Sequence, residues 1–156
     1  MKGVLSAGAL AFASLASAEV LPRNSQGSLS PIVSEGNAFW TESGERFYIR
    51  GVAYQPGGAA DAQDPLLNLE TFREDVEHFK DLGINTIRIY TVDNSGDHDE
   101  AMKLLDDAGI YLALDVNTPK ASLNRENIDS LHASYNDVYL QSVFSTIDAF
   151  SKYSMC

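Results

Sequence analysis

Residues 69–116, LETFREDVEHFKDLGINTIRIYTVDNSGDHDEAMKLLDDAGIYLALDV, decide the fold of this chain. Leu69, Phe72, Val76, Phe79 and Leu82 recur every three or four positions, the spacing of one helix face. Thr71 and Glu74 fit a capping box near its start, and Gly83 stands where a C′ glycine ends a helix. Ile84 to Tyr90 comes next as a β-branched strand. The order then repeats. Asp97 with Glu100 fits a cap for a helix through Met102, Leu105 and Ala108, Gly109 ends it, and Ile110 to Val116 reads as a buried strand. Helix, glycine, isoleucine and strand, twice over, are the grammar of a parallel sheet crossed by helices. Doubly wound sheets and β/α barrels share that grammar, and periodicity does not choose between them.

Upstream, Asn37–Trp40 and Arg46–Ile49 flank Thr41–Glu45 and read as a hairpin with Gly44 in the turn. Gly51–Tyr54 either extends its second arm or starts a new strand. Downstream, a third helix fits residues 136–152, with Leu140, Val143, Phe144, Ile147 and Phe150 on its apolar side. Residues 19–35 are rich in Ser, Pro and Gly and read as a flexible lead-in. Residues 1–18, MKGVLSAGALAFASLASA, combine Lys2, an apolar stretch and the small-x-small ending Ala16-Ser17-Ala18 of a secretory signal peptide. That stretch is too short for the ~20 apolar residues of a membrane span. The expected plan is a signal peptide (1–18), the lead-in (19–35), an α/β domain of strand–helix units (36–154) and a two-residue tail (155–156).

Composition narrows the partners. Of 156 residues, 22 are Asp or Glu and 11 are Lys or Arg, a formal charge of -11 that repels nucleic acid and anionic lipid. Cys156 is the single cysteine, so an internal disulfide and a cysteine-based metal cluster are excluded. His78, His98 and His132 lack close spacing, and no metal or cofactor is expected. Gly57-Gly58 lacks the context of a phosphate-binding loop.

In either parallel architecture ligands bind at the C-terminal ends of the strands. Here those ends carry Tyr54-Gln55, Tyr90 to Asn94, and Asp115 to Arg125. Aromatic faces beside amides and carboxylates suit sugars, whose C–H faces stack on rings while hydroxyls need paired donors and acceptors. The same tyrosines also fit as plugs at the mouth of a sheet, and Asp115 fits as a loop cap. Asp97-His98-Asp99-Glu100 reads as a helix N-terminus, where carboxylates favour the positive dipole end.

Five blocks in register carry a family resemblance. Phe47-Tyr48-Ile49-Arg50-Gly51-Val52-Ala53-Tyr54-Gln55 resembles the first barrel strand of fungal β-1,3-glucanosyltransferases, glycoside hydrolase family 72. Asp64-Pro65-Leu66, Asn85-Thr86-Ile87-Arg88-Ile89-Tyr90 and Asp97-His98 with Met102-Lys103 agree in order and spacing. Asp106 to Tyr111, leading to Pro119-Lys120-Ala121-Ser122-Leu123-Asn124-Arg125, is similar to that family's P-x-x-S-I-N-R loop. The resemblance spans roughly residues 33–154.

The resemblance implies an α/β fold, the N-terminal portion of a (β/α)8 TIM barrel with about three of its strand–helix units. It implies an enzyme at the cell surface, usually held by a GPI anchor, that cuts and religates β-1,3-glucan in the fungal cell wall. Tyr90 and the loop Asn117, Thr118, Pro119, Lys120, Ala121, Ser122, Leu123, Asn124 and Arg125 would then line the sugar groove. Both family glutamates would lie beyond Cys156, because no Gly-Asn-Glu triplet occurs in the chain. The chain alone is therefore expected to be inactive. Phe72 and Ala101 occupy positions where many members carry a cysteine pair, and as apolar residues they suit helix-to-helix packing. Two other readings stay open: a β-glucan-binding piece without catalysis that uses Tyr54, Tyr90 and the 117–125 loop, and an unrelated small α/β domain.

Overall fold

The β-branched run after Gly83 forms the middle strand of a parallel sheet, in a computed structural model that describes residues 29–58, 63–118, 122–123, 135–153 and 156. Strand β4 (Gly51–Ala53) leads through a 3-10 turn at Pro65–Leu67 to helix α1 (Leu69–Asp81) and strand β5 (Thr86–Ile89). Helix α2 (Asp99–Ala108) then leads to strand β6 (Tyr111–Leu114), and helix α3 spans Asp137–Phe150. The strands pair in sequence order, β4-β5-β6, in parallel: Val52 opposes Ile87, and Ile87 opposes Leu112. The unit repeat read from the sequence is thus observed, with Gly51–Ala53 as a strand of its own.

Side-chain parity divides the sheet into two faces. Tyr54, Ile87, Ile89 and Leu112 join Phe72, Val76, Phe79, Ala101, Met102 and Leu105 in one buried cluster, so α1 and α2 cover the same side. Phe72 and Ala101 are both fully buried in it, and the two helices pack on each other. The opposite face carries Gly51, Ala53, Thr86, Arg88, Tyr90, Tyr111, Ala113 and Asp115. Gly51 is required by closeness, since a Cβ there would clash with the Thr86 carbonyl oxygen.

A second, antiparallel sheet precedes this unit: β1 (Ile32–Glu35), β2 (Ala38–Thr41) and β3 (Arg46–Phe47). The expected hairpin is β2–β3, with Trp40 opposite Arg46 and Gly44 at φ 82. The expected lead-in is shorter than 19–35, because Ile32–Glu35 pairs with β2 across a turn at Gly36. Phe47 meets the Tyr111 ring edge-on at 5.1 Å, and the Tyr111 hydroxyl donates to the Ser30 carbonyl at 2.7 Å. The small sheet thereby sits at the N-terminal end of the parallel strands. Asn85 staples the link between sheets: its Oδ1 accepts from Arg50 N–H at 2.8 Å and its Nδ2 donates to the Tyr48 carbonyl at 2.9 Å.

Three local expectations are corrected. The α1 cap is Asn68, whose side chain accepts from Thr71 N–H, so the Thr71–Glu74 box is not the start. Leu82 is 71% exposed. At 100° per residue it lies about 80° round from Phe72, off the buried stripe. On α3 the expected apolar side is largely bare, with Phe144 and Ile147 exposed and only Thr146 and Phe150 buried.

Candidate functional site

At the C-terminal ends of β5 and β6, three side chains of the helix-free face meet. Arg88 opposes Ala53 on β4 and Ala113 on β6, two small neighbours that leave room for its guanidinium. Its Nε donates to Asp115 Oδ1 and its Nη2 to Asp115 Oδ2, each at 2.9 Å. The same guanidinium lies 4.5 Å from the centroid of the Tyr90 ring. The hydrogen bonds and charge of Asp115 push the Arg88 pKa further up, so the cation is permanent. A bidentate carboxylate and a ring face thus share one cation.

Tyr54 does not join them. It is buried on the helix side, edge-on to Phe79 at 5.2 Å, and its hydroxyl donates to Asp75 Oδ2 at 2.6 Å. Strand parity explains the correction: Tyr54 lies two positions beyond Val52, which faces Ile87 and the helices. Burial and the neighbouring Asp75 carboxylate raise its phenol pKa well above the usual value of 10.0.

The loop after β5 lines an open cleft of about 1010 Å³ together with Asp64, Asn68 and Ser145. Asp64 anchors it. One Asp64 oxygen accepts from Leu66 N–H at 2.9 Å. The other accepts from Asp93 N–H at 2.7 Å and lies 2.7 Å from His98 Nε2. The Asp64 and His98 side chains are 4% and 3% exposed, and the His98 ring packs tilted against Phe150, with centroids 4.8 Å apart. His98 is the α2 N-cap residue by position, yet no side-chain cap bond forms, because its ring turns inward to Asp64. Asn94 Nδ2 donates to Ser145 Oγ and Thr146 Oγ1, each at 3.0 Å, tying the loop to α3. Hydrogen bonds from Ser95 lower the Asp93 pKa.

Of the residues expected at the site, Tyr90 lies half-buried against Arg88, and Asn117 and Thr118 come three and four positions after the end of β6. Ser122 and Leu123 are exposed. Pro119, Lys120, Ala121, Asn124 and Arg125 lie outside the described residues. The sequence reading missed Arg88 as a site residue and missed that Asp64 and His98 meet. Strand parity could have found Arg88, a cation on a strand two positions before Tyr90. The Asp64–His98 contact has no short-range signal.

Comparison with known proteins agrees with this frame. A family model described as glucanosyltransferase, glycoside hydrolase family 72, matches residues 22–156. The 1,3-beta-glucanosyltransferase gel1 of Aspergillus fumigatus is 57% identical over 125 residues, 80% of this chain and 27% of that protein. Saccharomyces cerevisiae GAS5, of the same name, is 55% identical over 131 residues, 83% of this chain and 26% of its own length. The chain thus spans about a quarter of the length of these relatives. A solved structure of Saccharomyces cerevisiae Gas2p in complex with laminaritriose and laminaritetraose superposes with a TM-score of 0.68 at 34% identity, covering 81% of this chain and 28% of that one. With a family model matching nearly all of its sequence beyond residue 21, the chain belongs to the glucanosyltransferase family, glycoside hydrolase family 72.

Proposed function

We propose that the helix-free face of β4–β6 is part of a β-1,3-glucan groove in an exported 1,3-beta-glucanosyltransferase, and that Tyr90 meets the sugar there. The observation that carries this reading is the placement of Tyr90 and Asp115 together, on the bare face at the C-terminal strand ends. The ring offers a stacking surface, and each Asp115 oxygen keeps lone-pair capacity for a sugar hydroxyl after Arg88 is served. Asn117, Thr118 and the loop through Arg125 would extend the groove, as the family resemblance implies. The Gas2p structure, a complex with laminaritriose and laminaritetraose, supports the ligand class.

The architecture behind the groove is read as successive units of a (β/α)8 barrel. Helices α1 and α2 lie on one side of strands paired in sequence order. A doubly wound sheet reverses its strand order and carries helices on both faces. The bare face would then be the barrel interior, and the C-terminal strand ends its active mouth.

Retaining transfer between glucans needs two carboxyls about 5–5.5 Å apart, one as nucleophile and one as acid and base. Among the described residues the bare face offers Asp115 alone, already forked to Arg88. As the family resemblance implies, the chemistry is assigned to glutamates outside these 156 residues, and the chain alone is expected to turn over no laminari-oligosaccharide. Residues 1–18 serve export, and membrane attachment through a GPI anchor and residence at the cell wall belong to the same reading. The test is calorimetric titration of the chain with laminaripentaose and cellopentaose. Saturable binding of the β-1,3 oligomer that Tyr90→Ala weakens by about tenfold or more is expected from the loss of one stacking ring. Equal binding of both oligomers, or no loss in the variant, would count against the proposal.

A further inference from the structure

Arg88 occupies the middle of the bare face, and everything around it directs its guanidinium one way. Its register partners on both sides are alanines, Ala53 and Ala113, so neither of them competes for the space above the sheet. The side chain runs toward the strand end, where both Asp115 oxygens take its fork at 2.9 Å. That fork fixes the plane of the guanidinium, and the cation lies 4.5 Å from the Tyr90 ring centroid. Asp115 holds Arg88, and Arg88 holds Tyr90.

We propose that Arg88 is a positioning residue of the groove: clamped by Asp115, it supports one face of the Tyr90 ring and leaves the other for the ligand. This rests on the reading of Tyr90 as a sugar contact. The ring is ordered before ligand arrives, so its ordering cost does not fall on binding. The cation is neutralised locally by its carboxylate, so the platform suits an uncharged hydroxylated ligand and gains little from an anionic one. Lysine cannot replace Arg88 here, because a point charge on a flexible stem neither forks to a carboxylate nor lies flat on a ring.

The experiment uses the whole 156-residue chain and the variants Arg88→Lys and Asp115→Asn, with NMR of the Tyr90 ring carbons and the Arg88 Nε–H, and laminaripentaose titration. The wild-type Arg88 Nε–H is expected at an upfield, ring-shifted position that Tyr90→Leu abolishes. Arg88→Lys and Asp115→Asn should each shift and broaden the Tyr90 ring signals and weaken laminaripentaose about tenfold. Their thermal midpoints should stay close to wild type. Should Arg88→Lys fail to fold, the Tyr90 ring signals of Asp115→Asn, which keeps the shape of its side chain, decide alone, because its affinity also reports the direct contact of Asp115 with the sugar. Wild-type ring signals and affinity in the folded variants would overturn the proposal. If the wild-type chain binds no laminaripentaose, the sugar reading falls, while the ring and Nε–H signals still decide whether Arg88 positions Tyr90.

Discussion

Asp64 shows how much one carboxylate can hold in place. It caps the turn at Pro65–Leu67, accepts from Asp93 N–H in the loop after β5, and binds His98 at the start of α2. Asp64→Ala would strand donors on three segments, two of them at the buried residues Leu66 and His98, and a cost of at least about 2 kcal/mol is expected in urea unfolding. Asp115→Asn, at a pair that is partly open to solvent, should cost under about 1 kcal/mol in the same assay. Tyr54 gives a pH signature. Its folded pKa lies above the ordinary value of 10.0, so the unfolded chain loses the proton first as pH rises. Its contribution is present below pH 10 and is lost progressively above it. Tyr153, pushed up to about 12 by burial and by Asp99, adds to the same trend. Tyr54→Phe should flatten the alkaline fall in stability, read from urea midpoints between neutral pH and pH 11; an unchanged slope would contradict the assignment.

At the scale of the elements, the helices and strands around Gly83 and Gly109 were legible because both signals are local. The glycines take φ 67 and φ 73, the left-handed turn that ends each helix, and Ile84 and Ile110 lead into β5 and β6. The features that were not legible depended on contacts distant in sequence. Strand β1 is only four residues long, so its pairing with β2 decides its state, and the inward turn of His98 depends on a residue 34 positions away. The facing of Tyr54 needed the β4 register, which no local pattern fixes. Alternation alone, once β5 was placed, would have put Arg88 beside Tyr90. The closeness of β4 and β5 makes its own prediction. Gly51→Ala places a methyl against the Thr86 carbonyl, and a loss of about 1–3 kcal/mol is expected from the forced shift. Gly109→Ala, strained only by its φ, should lose about 1 kcal/mol. Thermal melts of the two variants compare them directly.

For the molecule as a whole, the division into a helix-covered and a bare face organises everything else. Strand β5 is paired on both sides, whereas β4 and β6 each pair on one side among the described residues. Hydrogen exchange should therefore be slowest at Ile87 and Ile89 and faster at the outward amides of β4 and β6. Uniform protection across the three strands would contradict that topology. The charge of -11 fits a neutral polysaccharide better than a polyanion, and the small antiparallel sheet lies at the end away from the candidate groove. The central claim is that glucan meets the bare face at Tyr90. Titrating the isotope-labelled chain with laminaripentaose and mapping the shifted backbone amides tests it most directly. Saturable shifts centred on Arg88, Tyr90, Asp115, Asn117 and Thr118, with residues 32–47 unmoved, are the predicted result; no saturable shift, or one centred on the antiparallel sheet, would contradict it.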